Sequence, residues 1–578
     1  MERFKFDKAK GTGLSPLGIQ IHERSEGFFE AEQRERLARL RRGIDLFAAS
    51  RNASEPLISV ITPTWNTDPA WFLELAISVV EQSCLNWEWC LVDDCSAETK
   101  FHSLVDELQS LHNVTITRLT QPHGISRATN VGLECARGRY VCFVDHDDTL
   151  SRDALAESLS ALEGGSDAVY TDSDKIDVRG NRSEPFHKPD WSPEFFRGVM
   201  YVGHLLSVRR DLARLIGGFN QEYDGVQDFE FLLRYSEITQ KIAHIPKILY
   251  HWRSVEGSVA AGINAKGDLG RLQRRAVSFH LQRLRMAAAV EAGDFPHRLK
   301  IVPLRRQTTP RVSIIIPTKD SPGILRKCLS TLFSRTTYPN FEVLCVDNET
   351  TDPAALRELT SGPIQRLLFS GRFNFSKANN LARQYASGLY LVFMNNDVEV
   401  RSPDWIEQML YYAEQSDVGA VGGLLLYPNH SVQHAGVVLG CRGTADHVLR
   451  GAPGDSDGYA GSLSCAREVS AVTGACLMMR TSSFDDLGGF NEHYFTAYQD
   501  VDLCLKLRAQ GKRIIFTPRA RLIHHESISR GKYYDLVDRN LLLDFWEPLI
   551  RAGDPYYNPN LDVQTCDYTL VNPLQSDG

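Results

Sequence analysis

The sequence lacks any uninterrupted apolar run near the roughly 18 residues that a membrane-crossing helix requires. Its first residues, Met1–Gly11 (MERFKFDKAKG), are charged and lack the apolar centre of a secretory leader. A cytoplasmic location is therefore the default expectation, with peripheral attachment at the inner face of the cell membrane as the alternative. A large charge excess is also missing, since 64 Lys and Arg stand against 72 Asp and Glu, a formal net charge of −8. That argues against nucleic acid as the main partner, because phosphate backbones recruit basic proteins. The 12 cysteines contain no C-x-x-C pair and no zinc-type spacing. Several, such as Cys142 and Cys345, sit inside apolar strand patterns where a thiol is a small core residue, so disulfides are not expected. Finally, there is no G-x-x-x-x-G-K-[ST] loop, and no G-x-G-x-x-G follows the first strand. A phosphate bound by this chain has to be held by something other than a glycine loop.

What is present is length and repetition. At 578 residues the chain is too long for one ordinary domain. Residues 1–55 form a preamble in which Glu30–Ala49 reads as a helix. Leu37, Leu40, Ile44 and Phe47 lie along one side, and Arg34, Arg36, Arg39, Arg41 and Arg42 cover much of the rest. Such a basic face either lies on an anionic membrane or is a solvated surface of a packing helix; the second is the expectation. From Pro56 the pattern becomes strand, helix, strand, helix. Leu57–Thr62, Trp89–Val92, Val114–Leu119 and Tyr140–Val144 are the first four strands, with Trp71–Gln82 and Ser126–Ala136 as helices. Alternation of this kind indicates a parallel sheet built by crossover connections.

The scheme then restarts about 250 residues later. Val312–Pro317 matches Ile58–Pro63, Val343–Asn348 matches Cys90–Cys95, and Ser376–Asn380 matches Ser126–Asn130. Gly488–Asn491 matches Gly217–Asn220, Gln499-Asp500 matches Gln227-Asp228, and His524 in LIHHES matches His251 in LYHWRS. Ordered matches of this kind describe a duplicated domain. The boundaries expected are 1–55 for the preamble, 56–260 and 311–531 for the two units, 261–310 for a helical linker and 532–578 for a tail. Within the linker, Leu269–Ala289 has helical periodicity. The fold class is α/β, with two tandem Rossmann-like domains built on mostly parallel sheets.

The chemistry gathers at strand ends. Tyr140–Val144 is a buried-strand pattern that ends in Asp145, His146, Asp147 and Asp148. Carboxylates so placed repel one another and cost desolvation unless a cation or donor groups neutralise them. Alternatively they cap the next helix. The second copy, Tyr390–Val400, ends in Asn395, Asn396 and Asp397. Thr64, Asn66, Asp93, Asp94, Arg127 and Asn130 fall at other strand ends and helix starts, so all would face one crevice of a parallel sheet. Hard carboxylate oxygens suit Mg²⁺ or Mn²⁺ bridging a diphosphate. Asp228 and Asp500 can each cap the helix that follows, and capping is compatible with catalysis.

The motifs ISVITPTWN, CLVDDCS, HGISRATNVGLECARGRY, FVDHDD, GVQDFEFLLR and LYHWR resemble those of family 2 glycosyltransferases of the GT-A fold. VSIIIPTKD, VLCVDNET, NFSKANNLARQYASG, LVFMNNDVEV, GGFNE, YQDVDLCLKLR and LIHHESISRG carry the same resemblance in the second unit, in a style similar to bacterial rhamnosyltransferase-like enzymes of cell-surface polysaccharide assembly. The resemblance implies a bifunctional, inverting, metal-dependent transfer from a UDP-, dTDP- or GDP-sugar donor to a glycan or lipid-linked glycan acceptor of O-antigen or capsule type. It implies Asp228 and Asp500 as general bases. Asp147 with His251, and Asp397 with His524, would hold Mg²⁺ or Mn²⁺. Donor binding falls to Thr64, Asn66, Asp93, Asp94, Arg127 and Asp145, and in the second copy to Thr318, Asp320, Asp347, Lys377 and Asn395. Contact with a membrane surface or with other glycan-assembly proteins is left open. Two departures stand out: each base follows Gln rather than an acid, and Asn395-Asn396-Asp397 leaves one carboxylate for a cation. One active unit with a degenerate acceptor-gripping partner is the alternative. A nucleotidyltransferase is more remote, because Thr62–Thr67 lacks its glycine-rich loop.

Overall fold

The computed structural model describes residues 26–50, 55–97, 99–109, 111–254, 269–305, 308–525 and 536–571. The expected boundary regions near residues 260 and 531, and the end of the LIHHESISRG motif, lie outside the described residues.

Among the described residues the first unit contains nine strands: β1 (Ile58–Thr64), β2 (Trp87–Asp93), β3 (Val114–Arg118), β4 (Tyr140–Phe143), β5 (Thr149–Leu150), β6 (Ala168–Ile176), β7 (Arg182–Phe186), β8 (Leu206–Arg209) and β9 (Ile242–Arg253). A hairpin, β10 (Ala288–Ala292) and β11 (Leu299–Pro303), precedes the second unit. That unit runs β12 (Val312–Thr318), β13 (Phe341–Asp347), β14 (Ile364–Leu368), β15 (Tyr390–Met394), β16 (Val398–Val400), β17 (Val418–Leu426), β18 (Val432–His434), β19 (Val437–Leu439), β20 (Ala445–His447), β21 (Arg467–Glu468), β22 (Cys476–Arg480) and β23 (Arg513–His524).

The sheet order is β3-β2-β1-β4-β8-β6-β9-β5 in the first unit and β14-β13-β12-β15-β22-β17-β23-β16 in the second. Position by position these are the same path, so the sequence repeat is a repeat of fold. β1, β2, β3 and β4 pair in parallel, whereas β8 runs antiparallel to both β4 and β6. β6 and β9, and in the second unit β17 and β23, pair in parallel as well, so the fold is the expected α/β with parallel-rich sheets into which antiparallel strands are inserted. Strands such as β1 and β12 are buried along their whole length, which explains their unbroken β-branched runs.

Repeated polar residues turn out to hold the repeat together. Asn130 accepts from the Phe219 N–H at 2.8 Å and donates to the Phe219 carbonyl at 2.8 Å. Asn380 does the same to Phe490 at 2.9 Å in both directions. The adjacent Gly218 and Gly489 have φ of +66° and +81°, and a Cβ there would meet the asparagine Oδ1 at 2.3 and 2.6 Å. Gly-Gly-Phe is thus a fixed turn clamped by a distant amide.

The preamble helix spans Glu26–Ser50 and buries Leu40 and Phe47 on the first unit. Its arginines meet carboxylates there: Arg36 bonds Glu74, Arg39 bonds Glu81 at 2.7 and 2.5 Å, and Arg41 bonds Glu107 at 3.1 and 2.5 Å. Much of the basic face is therefore a docking surface. The linker helix stops at Arg283, and Ala288 begins a strand. The expected helix to Ala289 is too long by more than a turn, because Ala288–Ala292 is a strand that pairs with Leu299–Pro303.

The tail also departs from expectation. Cys441 and Cys566 form a disulfide. A pair 125 residues apart has no spacing signature, and the expectation of no disulfide is corrected here. After the helix Leu536–Arg551 the tail bonds both units. Asp554 accepts from the Leu439 N–H at 2.8 Å, and the Pro555 carbonyl accepts from the Asp190 N–H at 2.8 Å. Elsewhere on the joint, Arg513 contacts Glu194 at 3.2 Å and Glu468 at 2.6 Å. Ser192 bonds Glu468.

Candidate active sites

Each unit brings three loops to the end of β1 or β12. In the first, Asn66 sits at φ +46° and accepts from the Ala97 N–H at 3.1 Å, while its own N–H donates to Ser96 at 2.9 Å. In the second, Asp320 sits at φ +46° and accepts from the N–H groups of Thr351 and Asp352 at 2.8 and 2.9 Å. These residues splice the β1–β2 and β12–β13 loop ends together. Thr64 is buried, its hydroxyl 3.3 Å from the Val92 carbonyl; Thr318 accepts from Asn396 at 2.9 Å.

The paired acids at the β2 and β13 ends are held by protein donors. Asp93 accepts from the Ser96 N–H at 3.1 Å and faces His102 Nε2 at 3.2 Å. Asp347 accepts from the Thr350 N–H at 2.8 Å and from Arg366 at 2.8 and 2.5 Å. Asp94 accepts from the N–H groups of His123 and Gly124, both at 2.8 Å, fixing the loop that starts the helix Ile125–Cys135. Arg127 and Lys377 are exposed on the first turns of matching helices, Arg127 with Glu134 at 3.3 Å.

The strand-end acids divide into two kinds. Asp148 is fully buried: Tyr250 OH donates to one oxygen and the Arg253 N–H to the other at 2.7 Å. Burial, then Asp147 and Asp145, pushes its carboxyl well above the usual range. It ties the end of the fourth strand to β9, with both oxygens engaged by protein donors. Asp145 and Asp147 line the crevice. Burial raises Asp147, His146 pulls it partly back and Asp145 adds to the rise. Two neighbouring carboxylates, one of them raised by burial, fit a divalent cation, and Mg²⁺ is ordinarily bound by one or two carboxylates plus phosphate and water. Among the described residues, no three His, Cys, Asp or Glu side chains are gathered to hold a metal by themselves. A cation held by Asp145 and Asp147 would therefore need its remaining ligands from outside the protein's side chains.

The two histidines matched by sequence are not structural counterparts. Thr149 pairs with His251, whereas Glu399, two residues after Asp397 as Thr149 is after Asp147, pairs with Ile523. By strand register, His524 corresponds to Trp252. Successive strand residues face opposite ways, and the side chains follow. His524 Nε2 lies 3.2 Å from Asp397 Oδ1 and 3.2 Å from the Asn395 amide. His251, next to the site-facing Tyr250, bonds Asp174 at 2.6 Å and Ser151 at 3.0 Å instead. The second unit gathers Asp397, His524 and Asn395; the first does not bring His251 to its acids.

The first unit supplies a different histidine. His204 Nε2 lies 3.4 Å from Asp145, and its ring stacks on Tyr250 with centroids 5.0 Å apart. It also bears on Asp228, at the start of the helix Gln227–Ile238. Burial raises the Asp228 carboxyl, His204 lowers it and Asp145 raises it, leaving it at about 6. Asp500 starts the helix Gln499–Ala509, where burial raises it against the Gly474 N–H at 2.7 Å and the Val501 N–H at 2.9 Å. Leu206 pairs with Phe143 as Leu477 pairs with Phe393, so the counterpart of His204 is Ala475. A histidine present in one copy only leaves no trace in a repeat comparison. In the second unit His434 is buried with Nδ1 2.9 Å from His447, and burial pushes it well below the usual imidazole range.

The Glycosyl transferase family 2 model matches residues 59–215 and 313–488, one stretch in each unit. The chain belongs to glycosyl transferase family 2. This family member is 39% identical over 540 residues to the O-antigen biosynthesis protein RfbC of Myxococcus xanthus, across 90% of this chain and 42% of that protein. It is 38% identical over 538 residues to the uncharacterized protein y4gI of Sinorhizobium fredii, across 90% of this chain and 59% of that protein. The chain thus spans about half the length of these two relatives. Among solved structures, S. aureus TarS 1-349 in complex with UDP-GlcNAc aligns with 39% of this chain and 66% of its own at 22% identity and a TM-score of 0.33. Among the described residues, no helix is long and apolar enough to cross a membrane.

Proposed function

We propose that each unit of this glycosyltransferase transfers a sugar, with inversion, from a nucleotide-sugar donor to a growing cell-surface polysaccharide or lipid-linked glycan. The observation that carries the two-site reading is that both copies keep one half-buried carboxylate, Asp228 or Asp500, on the first helical turn facing the sheet end. Both are raised by burial. A raised carboxylate is a stronger base, and Asp228, at about 6, is still ionised at pH 7. It takes the acceptor proton as the hydroxyl oxygen attacks the anomeric carbon from the face opposite the diphosphate. The sugar–phosphate bond breaks and the nucleotide diphosphate leaves.

Asp145 and Asp147 in the first unit, and Asp397 with His524 and Asn395 in the second, are the groups proposed to hold Mg²⁺ or Mn²⁺. A divalent cation there supplies charge neutralisation for the leaving diphosphate. The spliced loops at Asn66 and Asp320 shape the nucleotide side of the crevice, and Asp93 and Asp347 form its rim. The 39% identity to a protein named for O-antigen biosynthesis supports a polysaccharide acceptor. Purified chain, incubated with a panel of UDP-, dTDP- and GDP-sugars and a synthetic glycan acceptor, is expected to add two residues. The new linkages should carry the anomeric configuration opposite to the donors, read by mass spectrometry and NMR. Retained configuration, or no transfer from any donor, rejects the proposal.

A further inference from the structure

We infer that Asn558, in the tail beyond the second unit, is a positioning residue for the first unit's site and acts through a buried relay that ends at His204. The inference rests on the first unit's being an active transferase, and it starts from a buried charge that the chemistry above does not use. Lys188 is 1% exposed and sits inside the first unit. Its ammonium donates to three backbone carbonyls, those of Thr171 at 2.6 Å, Val202 at 2.5 Å and His204 at 2.8 Å. A buried ammonium with three fixed acceptors is a rigid node, since losing any of them leaves an uncompensated charge. It pins the segment 202–204, whose last residue carries the imidazole that faces Asp145 and stacks on Tyr250.

The node is itself held from one side. The Lys188 N–H donates to Asp172 at 2.9 Å, and Asp172 also engages His187 at 2.8 Å and His244 at 2.8 Å. The remaining approach is filled by the tail. The Asn558 amide donates to the two Asp172 oxygens at 3.2 and 2.9 Å and to the Lys188 carbonyl at 2.9 Å. Asn558 is 3% exposed. Its neighbours fix it to both units: Pro555 accepts from Asp190, Asn560 donates to the Pro246 carbonyl at 2.9 Å, and Asp554 and Cys566 are tied to Leu439 and Cys441 of the second unit. A residue 330 positions after Asp228 in sequence therefore completes the support of the first site.

The test uses the full-length chain with Asn558→Ala, His204→Ala and the double variant, following each transfer separately. Asn558→Ala is expected to lower kcat of the first transfer by roughly 3- to 30-fold with donor KM little changed, and to leave the second transfer near that of the parent. Because Asn558 acts through His204, the double variant should be no slower than His204→Ala alone. Hydrogen–deuterium exchange should quicken in residues 199–206 of Asn558→Ala. That readout is independent of turnover: if the chain transfers no sugar, the functional reading fails while the relay still stands or falls on exchange. Multiplicative losses in the double variant, equal slowing of both transfers, or unchanged exchange at 199–206 overturns the inference.

Discussion

The two units share one sheet path and differ at its working end in charge. The first ends its fourth strand in three carboxylates and a histidine, and adds His204 from the strand edge. The second ends in two amides and one carboxylate, and has Ala475 where His204 would stand and His524 where the first has Trp252. The differences are paired rather than scattered. Asp148 and Tyr250, an acid and a phenol bonded to each other, become Val398 and Leu522, two apolar residues in the same layer. Asp94, which accepts from two N–H groups of the next loop, becomes Asn348, which donates to two carbonyls at 3.1 and 2.9 Å. The duplicated fold thus fixes where a polar group must act, and each copy reverses or removes the polarity with its partner. What both keep is one strand-end Asp and one helix-start Asp, which is the physical basis for assigning them the chemistry.

The largest effect expected is loss of a base. Asp228→Asn should lower the first transfer by about 10²- to 10⁴-fold and leave the second intact, and Asp500→Asn should do the converse. Product masses check this. If both variants still make the full product the bases are misassigned, and if only one has an effect the two sites are not both active. Next is the cation. Chelation should stop both transfers, and because an amide oxygen is a weaker ligand than a carboxylate, the second should need more metal for half-maximal rate. Asn395→Asp should then lower that requirement roughly tenfold. Undiminished turnover in chelator removes the metal from both sites.

A smaller separation is expected in pH. A general base acts when ionised, so the first transfer should be flat above the Asp228 value of about 6 and fall about tenfold per pH unit below it. Steady-state kcat/KM between pH 4.5 and 8 measures this, and a profile with no acid limb above pH 5 contradicts the assignment.

The architecture was legible because the cores of both units are written in unbroken apolar strands and repeated turns, and these are local signals. Asp147, Asp397, Asp228 and Asp500 were legible because they recur. Three features were not. His251 and His524 share a motif but differ by one residue in strand register, and one residue reverses the face. His204 has no counterpart in the other copy. The tail's hold on Asp172 and its disulfide to Cys441 join residues far apart in sequence, where neither periodicity nor spacing carries information.

The most modest test concerns the paired exchange itself. Asp148 is buried with both oxygens bonded, so Tyr250→Phe, which removes one donor, should cost about 1–2 kcal/mol of stability. Asp148→Val should cost about as much or more, because it leaves the Tyr250 hydroxyl and the Arg253 N–H without an acceptor. If the second unit's Val398 and Leu522 are a coherent alternative to this pair, Asp148→Val with Tyr250→Leu should cost less than the two single changes added together. The shortfall should be on the order of 1 kcal/mol. Thermal unfolding of the four proteins measures that coupling, and strict additivity would mean that the two exchanges arose independently of each other.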